Sequence, residues 1–195
     1  MPVDIALGFR VKSGFAVAVA LSGTTAAPVA LARRMVALSD PGVEKTRQPF
    51  HDGFGTAQED LEEIARLSRI IQRCARGSVD DLLSDASLAG ARCRGAGLVV
   101  GSVIDPATLG NLHIRAHANE GRLFRTVLEE ALNARSVGCS VIVEKTLATQ
   151  AARALKRPGG QIARIVGSWG ATLGGPWRAE EKAAATAAWM LLGKS

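Results

Sequence analysis

Short apolar runs separated by turn residues fill the first part of the chain and predict β-strands. Three such runs, at about residues 3–10, 14–22 and 28–38, are rich in Val and Ala and are separated by Gly- and Ser-containing segments. Connections this short join antiparallel neighbours, because parallel neighbours need a much longer crossover. The pattern therefore predicts a three-stranded antiparallel meander, followed by a long polar loop over residues 39–56.

Beyond this loop the apolar positions recur every three or four residues, the spacing of an amphipathic helix. We predict a helix that begins with a capping box of Thr56 and Glu59 and ends at Gly77, with a shorter helix after it.

Two later apolar runs flank another helical pattern, which predicts parallel strands joined by a crossover helix. The runs cover residues 95–103 and 139–146, and the helix covers residues 119–138. A glycine-rich stretch at residues 157–177 is predicted to be flexible, although "QIARIVGSWG" within it could form a short helical turn, and an Ala-rich helix follows at residues 178–193. Three antiparallel strands, then parallel ones, with helices on both faces, define an α/β fold with a ribonuclease H-like mixed sheet of about five strands.

Composition narrows the class of protein. A chain of 195 residues with 47% hydrophobic residues is expected to form a single domain over residues 1–195. The net charge of +6 favours polyanions such as nucleic acid, although a basic protein without such a partner fits equally well. Three cysteines without close pairing, and no signal-peptide pattern or run long enough to cross a bilayer, favour a reducing cytoplasm and no membrane partner.

Four segments, in order along the chain, resemble parts of the RuvC-type and YqgF-type ribonuclease H-like proteins. They are "ALGFRVKSGFAVAVAL", "VVGSVIDP", "VIVEKTLATQAARAL" and "EEKAAATAAWMLL". The resemblance implies the mixed sheet above. It also implies a metal-dependent nuclease or resolvase-like hydrolase, with Mg²⁺ or Mn²⁺ as cofactor if that activity is retained.

In that family the metals are held by acids of the first strand, a later strand and the last helix. By resemblance, Glu144 matches the later strand and Glu181 or Glu180 matches the last helix, but Arg10 stands at the first-strand aspartate. Arginine stays charged and cannot bind Mg²⁺. Asp4 lies six residues earlier, roughly 20 Å along a strand, and cannot replace the missing acid. The nuclease site is therefore expected to be lost or altered.

Arg10 and Lys145 are candidate ligands of an anion at this end of the sheet. Arg10 could hold a phosphate in its planar fork or pair with Glu144. If Arg10 and Glu144 stand at matching ends of their strands, they should lie within ion-pair distance.

The segment 113–125 allows three interpretations. On a continuous helix His113, His117 and Glu120 would share a face, a spacing compatible with a metal. Asn119 and Gly121, however, indicate a helix start, which would leave the histidines in a loop. We therefore favour a phosphate or substrate site at a helix N-terminus over a metal and assign no metal ligand; a solvated basic loop is the third interpretation. The candidate anion ligands are His113, Arg115, His117, Arg122 and Arg125.

Lys145 to Arg178 contains six basic residues, no acidic residue and interleaved tryptophans. Such a segment suits contact with a nucleic-acid backbone and stacking with bases, or it connects helices while its tryptophans pack on the core. The candidate nucleic-acid ligands are Lys156, Arg157, Arg164, Trp169 and Arg178.

The leading hypothesis is a ribonuclease H-like protein that binds structured or branched nucleic acid, with a lost or altered nuclease site. One alternative is a small-molecule enzyme that binds a phosphate ligand through the His113–His117 loop. Another is a non-catalytic interaction or assembly protein. Whether the protein is an enzyme, and whether it forms a homo-oligomer, are left open.

Overall fold

The computed structural model describes residues 3–53 and 56–193. A five-stranded mixed sheet with strand order β3-β2-β1-β4-β5 forms its centre. The strands β1, β2 and β3 form an antiparallel meander, and β4 and β5 continue the sheet parallel to β1. This arrangement confirms the predicted fold class. The strands are β1 (Asp4–Lys12), β2 (Phe15–Gly23), β3 (Pro28–Ala37), β4 (Arg92–Val100) and β5 (Cys139–Val143).

Helices cover both faces of the sheet. They are α1 (Leu61–Leu83), α2 (Leu112–Asn133), α3 (Glu144–Leu155), α4 (Gly159–Leu173) and α5 (Ala179–Leu191). Alternation along β2 shows the two layers: Ala18 packs into the core with α1 and α2, whereas Val19 packs into the core with α3, α4 and α5. None of the helices in the described part of the chain is long and apolar enough to cross a membrane.

Helix α1 begins later and ends later than predicted. The Asp60 carboxylate accepts hydrogen bonds from the backbone N–H groups of Glu62 and Glu63, at 2.9 and 3.1 Å, so Asp60 is the N-cap instead of Thr56. Gly77 lies inside the helix. A glycine costs a helix about 1 kcal/mol, which the burial of Val79 one half-turn later outweighs.

Helix α2 begins at Leu112, nearly two turns before the predicted start at Asn119. Asn111 is its N-cap, because the Asn111 side-chain oxygen accepts a hydrogen bond from the N–H of Ile114 at 3.0 Å. His113 and His117 therefore lie on the helix and not in a loop before it. The predicted helix start at Asn119 is wrong, and Arg122 and Arg125, two of the predicted anion ligands, occupy the middle of α2 and not its N-terminus.

The glycine-rich stretch 157–177 is mostly the helix α4, not a flexible connector. Ile162, Val166 and Trp169 form its buried face, and Pro158 precedes its first turn, where the missing N–H has no cost. The spacing of the three apolar residues outweighed the glycines in this segment.

Candidate functional site

The side chain of Arg10 lies at the carboxyl edge of the sheet, where parallel strands of α/β folds place their sites. In the register of the sheet, Arg10 pairs with Val99 and Val99 pairs with Ile142, so Glu144 follows directly beyond the same row. The Arg10 side chain is 7% exposed and that of Glu144 is 46% exposed. This placement brings a buried guanidinium to a half-exposed carboxylate.

Arg10 and Glu144 form a bidentate ion pair, as predicted. The Arg10 Nε donates to Glu144 Oε1 at 3.1 Å, and Nη2 donates to Oε2 at 2.6 Å. The third nitrogen, Nη1, donates to the backbone oxygen of Val11 at 2.7 Å. The fork geometry matches both carboxylate oxygens and fixes the guanidinium plane. Arg10 therefore neutralises Glu144, the first residue of α3 after β5.

The two acids of the last helix also have their own cations. Glu180 lies 3.7 Å from the ammonium group of Lys12. Glu181 is buried, accepts from Arg33 Nε at 3.2 Å and accepts from the backbone N–H of Arg178 at 2.8 Å. Burial opposes ionisation of Glu181, but the backbone hydrogen bonds and Arg33 outweigh it and lower its pKa. Glu181 is thus a paired structural carboxylate.

These contacts do not fit the two-metal site implied by the family resemblance. Glu144, Glu180 and Glu181 face three different cations, and a metal would have to displace each cation before it could use the oxygen. Over residues 3–53 and 56–193, the only group of His, Cys, Asp and Glu close enough to share a metal contains none of these acids.

A cleft of about 450 Å³ lies beside Arg10, between the ends of β1 and β4 and the helix α2. Its basic lining residues are Arg10, Lys12, His117, Arg122 and Arg125. In the described part of the chain, the side chains of Arg122 and Arg125 have no ion-pair partner, and the buried Nε of Arg125 has no hydrogen-bond partner. Unsatisfied guanidinium donors that line a cleft favour an anion there.

The structure brings only some of the predicted anion ligands to this cleft. His117, Arg122 and Arg125 line it together with Arg10. Arg115 instead donates twice to the backbone oxygen of Leu109, at 2.8 and 2.6 Å, and thereby holds the turn before α2. Lys145 is exposed in the first turn of α3 and does not line the cleft. Arg115 and Lys145 are therefore outside this site.

The basic segment after β5 contributes no residue to the cleft. Trp169 is buried, with its ring 5.5 Å from that of Trp189, so the expectation that it stacks with bases is wrong. The guanidinium of Arg157 lies 5.8 Å from the Trp189 ring centre, a cation–π contact. The remaining candidates are exposed and do not line the cleft: Lys156, Arg164 and Arg178.

The three histidines of the chain converge next to the cleft. His113 and His117 lie one turn apart on α2, and His51 reaches them from the loop between β3 and α1. Sequence reasoning missed His51, which stands in a polar loop with no recognisable spacing. The available signal was its rarity: a chain of 195 residues holds three histidines, and all three are in this cluster.

The fold, with its strand order and its two helical layers, is ribonuclease H-like. A solved structure of Thermus thermophilus RuvC matches with a TM-score of 0.55 at 11% sequence identity, over 95% of this chain and 92% of that chain. The structure of T. thermophilus RuvC in complex with a Holliday junction substrate matches with a TM-score of 0.54 at 10% identity, over 95% and 90% of the two chains. At such low identity the similarity shows the fold alone. No protein-family model and no curated protein sequence matches the chain.

Proposed function

We propose that this protein binds structured or branched nucleic acid in the cleft beside Arg10 and does not cleave it with a two-metal carboxylate site. The observation that carries the proposal is the Arg10–Glu144 ion pair, which places a cation where a metal-binding nuclease needs an acid. The likeness to the RuvC structure in complex with a Holliday junction supports the choice of ligand, since the fold is shared.

Charge in and around the cleft supports phosphate contact. Four positively charged side chains line the cleft: Arg10, Lys12, Arg122 and Arg125. Arg10 pairs with Glu144 and Lys12 pairs with Glu180, so two of the four, Arg122 and Arg125, remain without an acidic partner among the described residues. Both unpaired cations are guanidinium groups, whose fork matches phosphate oxygens. Arg10 cancels the charge of Glu144, so that this carboxylate does not repel a phosphate backbone at the cleft.

The test is the binding of a fluorescent four-way DNA junction, a duplex and a single strand, followed by anisotropy between 50 and 200 mM salt. We expect binding that weakens with salt and is tightest for the junction. Each lost phosphate contact lowers the salt slope by about 0.9, so the double variant Arg122→Ala/Arg125→Ala should lower it by about 2 and weaken binding to all three DNAs.

Arg76→Ala is the matched control, because Arg76 is exposed on α1 and does not line the cleft. It should bind like the unmodified protein. Absence of binding at 50 mM salt, or equal loss in the control and the double variant, would contradict the proposal.

Loss of the nuclease site is tested separately with Mg²⁺ or Mn²⁺ in the same junction assay. We expect no cleavage above the protein-free background. Cleavage that is abolished by Glu144→Gln would show that the Arg10–Glu144 pair opens to admit a metal and would overturn this part of the proposal.

A further inference from the structure

We propose that His51, His113 and His117 together bind one divalent transition metal of the zinc type. One nitrogen from each imidazole lies within 4.8 Å of the others. The Nε2 atoms of His113 and His117 are 3.2 Å apart, and the ring centres of the three imidazoles are 4.5 to 5.2 Å apart. This site is separate from the carboxylates of the family-type nuclease site and does not depend on nucleic-acid binding.

The backbone places the three imidazoles before any metal arrives. His113 and His117 are four residues apart on α2, so they share one face of the helix. His51 is held by its own backbone, whose N–H donates to Gln48 O at 3.0 Å, and by a β-bridge to Ala57. The rest of the loop is anchored by the fully buried Thr46, which bonds to the backbone of Asp40 and Val43. The backbone of the loop therefore fixes the position of His51 relative to the two histidines of α2.

A buried carboxylate orients the imidazole of His51. Glu120 is 1% exposed, and its Oε1 lies 2.7 Å from His51 Nδ1. The hydrogen bond uses Nδ1 and leaves Nε2 free as a ligand atom; Nε2 is buried and has no hydrogen-bond partner in the described part of the chain. The second oxygen of Glu120 is 3.8 Å from Nδ1 of His117. A carboxylate behind a histidine, on the nitrogen away from the ligand, is the usual outer support of a metal-binding imidazole.

Zinc fits the spacing of the nitrogens. In tetrahedral coordination at a Zn–N distance of about 2.1 Å, two ligand nitrogens are roughly 3.4 Å apart. The His113–His117 separation of 3.2 Å is close to this value, and the nitrogen of His51 lies within 4.8 Å of the other two. Imidazole suits zinc and its first-row neighbours, whereas Mg²⁺ and Ca²⁺ prefer oxygen.

The fourth coordination position would be open to solvent. His113 and His117 are exposed, and His117 also lines the basic cleft beside Arg10. Three histidines and an open position are a ligand set that leaves room for a water molecule or an anion on the metal.

A hydrogen-bonded histidine cluster without a metal is the competing explanation. It leaves His51 Nε2 and Glu120 Oε2 buried without a hydrogen-bond partner among the described residues, and a buried polar atom without one costs about 1–3 kcal/mol. A metal would give His51 Nε2 a partner. The positive charge of the metal, transmitted through the imidazole, would also lower the free-energy cost of burying the Glu120 carboxylate.

The experiment uses the full chain with any polyhistidine tag removed, since the chain has only three histidines of its own. After treatment with a chelator, the protein is titrated with Zn²⁺ by calorimetry and with Co²⁺ by visible absorption, and Mg²⁺ serves as the negative metal. We expect one Zn²⁺ per chain, ligand-field bands from Co²⁺, and no response to Mg²⁺. A hundredfold excess of Zn²⁺ over its Kd should raise Tm by roughly 5–10 °C.

Variants separate a built site from adventitious binding. His113→Ala/His117→Ala should abolish the one-to-one binding, and both side chains are exposed, so the variant is expected to fold. Glu120→Gln should keep the stoichiometry and weaken the affinity roughly 10- to 100-fold. Glu130→Gln, an exposed carboxylate on the same helix, should leave the affinity unchanged. No one-to-one binding, or binding that survives loss of both histidines, overturns the proposal.

Discussion

The packing of α5 on the sheet depends on two glycines, and replacing them gives a graded test of the structure. The Cβ of an alanine at Gly8 would overlap the carbonyl oxygen of Ala184 and lie 2.7 Å from the nitrogen of Ala188. At Gly97 it would lie 2.9 Å from the Cβ of Ala187. Ordinary contacts begin at about 3.4 Å. At Gly8 and Gly97 the strands β1 and β4 therefore lie so close to α5 that no side chain fits between them.

The expected magnitudes follow from these distances. Gly8→Ala collides with backbone atoms, so α5 must move by about 1 Å or more within a core of fully buried residues, which should cost about 3 kcal/mol. For a chain of this size the corresponding fall in Tm is about 6–12 °C. Gly97→Ala needs a shift of only a few tenths of an ångström at its nearest contact and should cost about 1–2 kcal/mol.

Gly77→Ala is the matched control and should change stability in the opposite direction. Gly77 is exposed inside α1, and an added Cβ there would meet nothing within 4 Å. The substitution therefore improves helix propensity and should stabilise the protein by about 0.5–1 kcal/mol.

Urea denaturation followed by far-ultraviolet circular dichroism measures all three variants on one scale. The order of stability should be Gly77→Ala, unmodified protein, Gly97→Ala and Gly8→Ala, with similar m-values. If Gly8→Ala unfolds within about 0.5 kcal/mol of the unmodified protein, the close approach of β1 and α5 is refuted.

Three further predictions concern charged groups and thiols. Glu144→Gln should lower the free energy of unfolding by about 1–2 kcal/mol in urea, because the buried Arg10 loses its charged partner; no change would show that water replaces the carboxylate. Burial raises the pKa of Cys139 to about 12, so about 1 in 10⁴ of its thiols is ionised at pH 8 and iodoacetamide should label it far more slowly than in urea; equal rates would contradict its burial. The pKa of Glu181 in the folded protein lies below its ordinary 4.5, so its stabilising contribution is present above that pH and is lost as the pH falls toward the lowered pKa. Urea midpoints between pH 6 and 3 should therefore fall less for Glu181→Gln, and parallel curves would show that Arg33 does not stabilise the ionised form.

The strand pattern was readable from the sequence because each strand is a short apolar run bounded by turn residues. The ends of the helices were not, because the true N-caps, Asp60 and Asn111, compete with equally plausible capping residues further along the chain. At Gly77 and in the glycine-rich α4, tertiary burial of one helical face outweighed poor helix propensity. Local signals therefore located the strands and most of the helices, but not the helix limits and not the full helix α4.

The candidate site likewise has one part that the sequence predicts and one part that it does not. The Arg10–Glu144 pair lies at matching ends of β1 and β5, two parallel strands of the mixed sheet that the apolar runs had already marked as strands. The histidine cluster requires the loop before α1 to fold back onto α2, a non-local contact for which the polar loop sequence has no periodic signal. His51 could have been suspected only because histidine is rare in the chain, and its partner Glu120 only after α2 was known to begin at Leu112.

Helix α2 links the two proposals, because His117 belongs both to the histidine cluster and to the lining of the cleft. A divalent cation on the three imidazoles would add two positive charges at the edge of a cleft that already contains the unpaired Arg122 and Arg125. Two unit charges 4 Å apart near a protein surface interact by about 4 kcal/mol, so such a cation would attract a phosphate over several ångströms. Coupling of this kind is reciprocal: an anion in the cleft would tighten the metal by the same factor by which the metal tightens the anion. A sheet of ribonuclease H-like fold, with Arg10 at its carboxyl edge, would then carry a metal beside the proposed nucleic-acid cleft, held by nitrogen ligands from α2 and from the loop before α1.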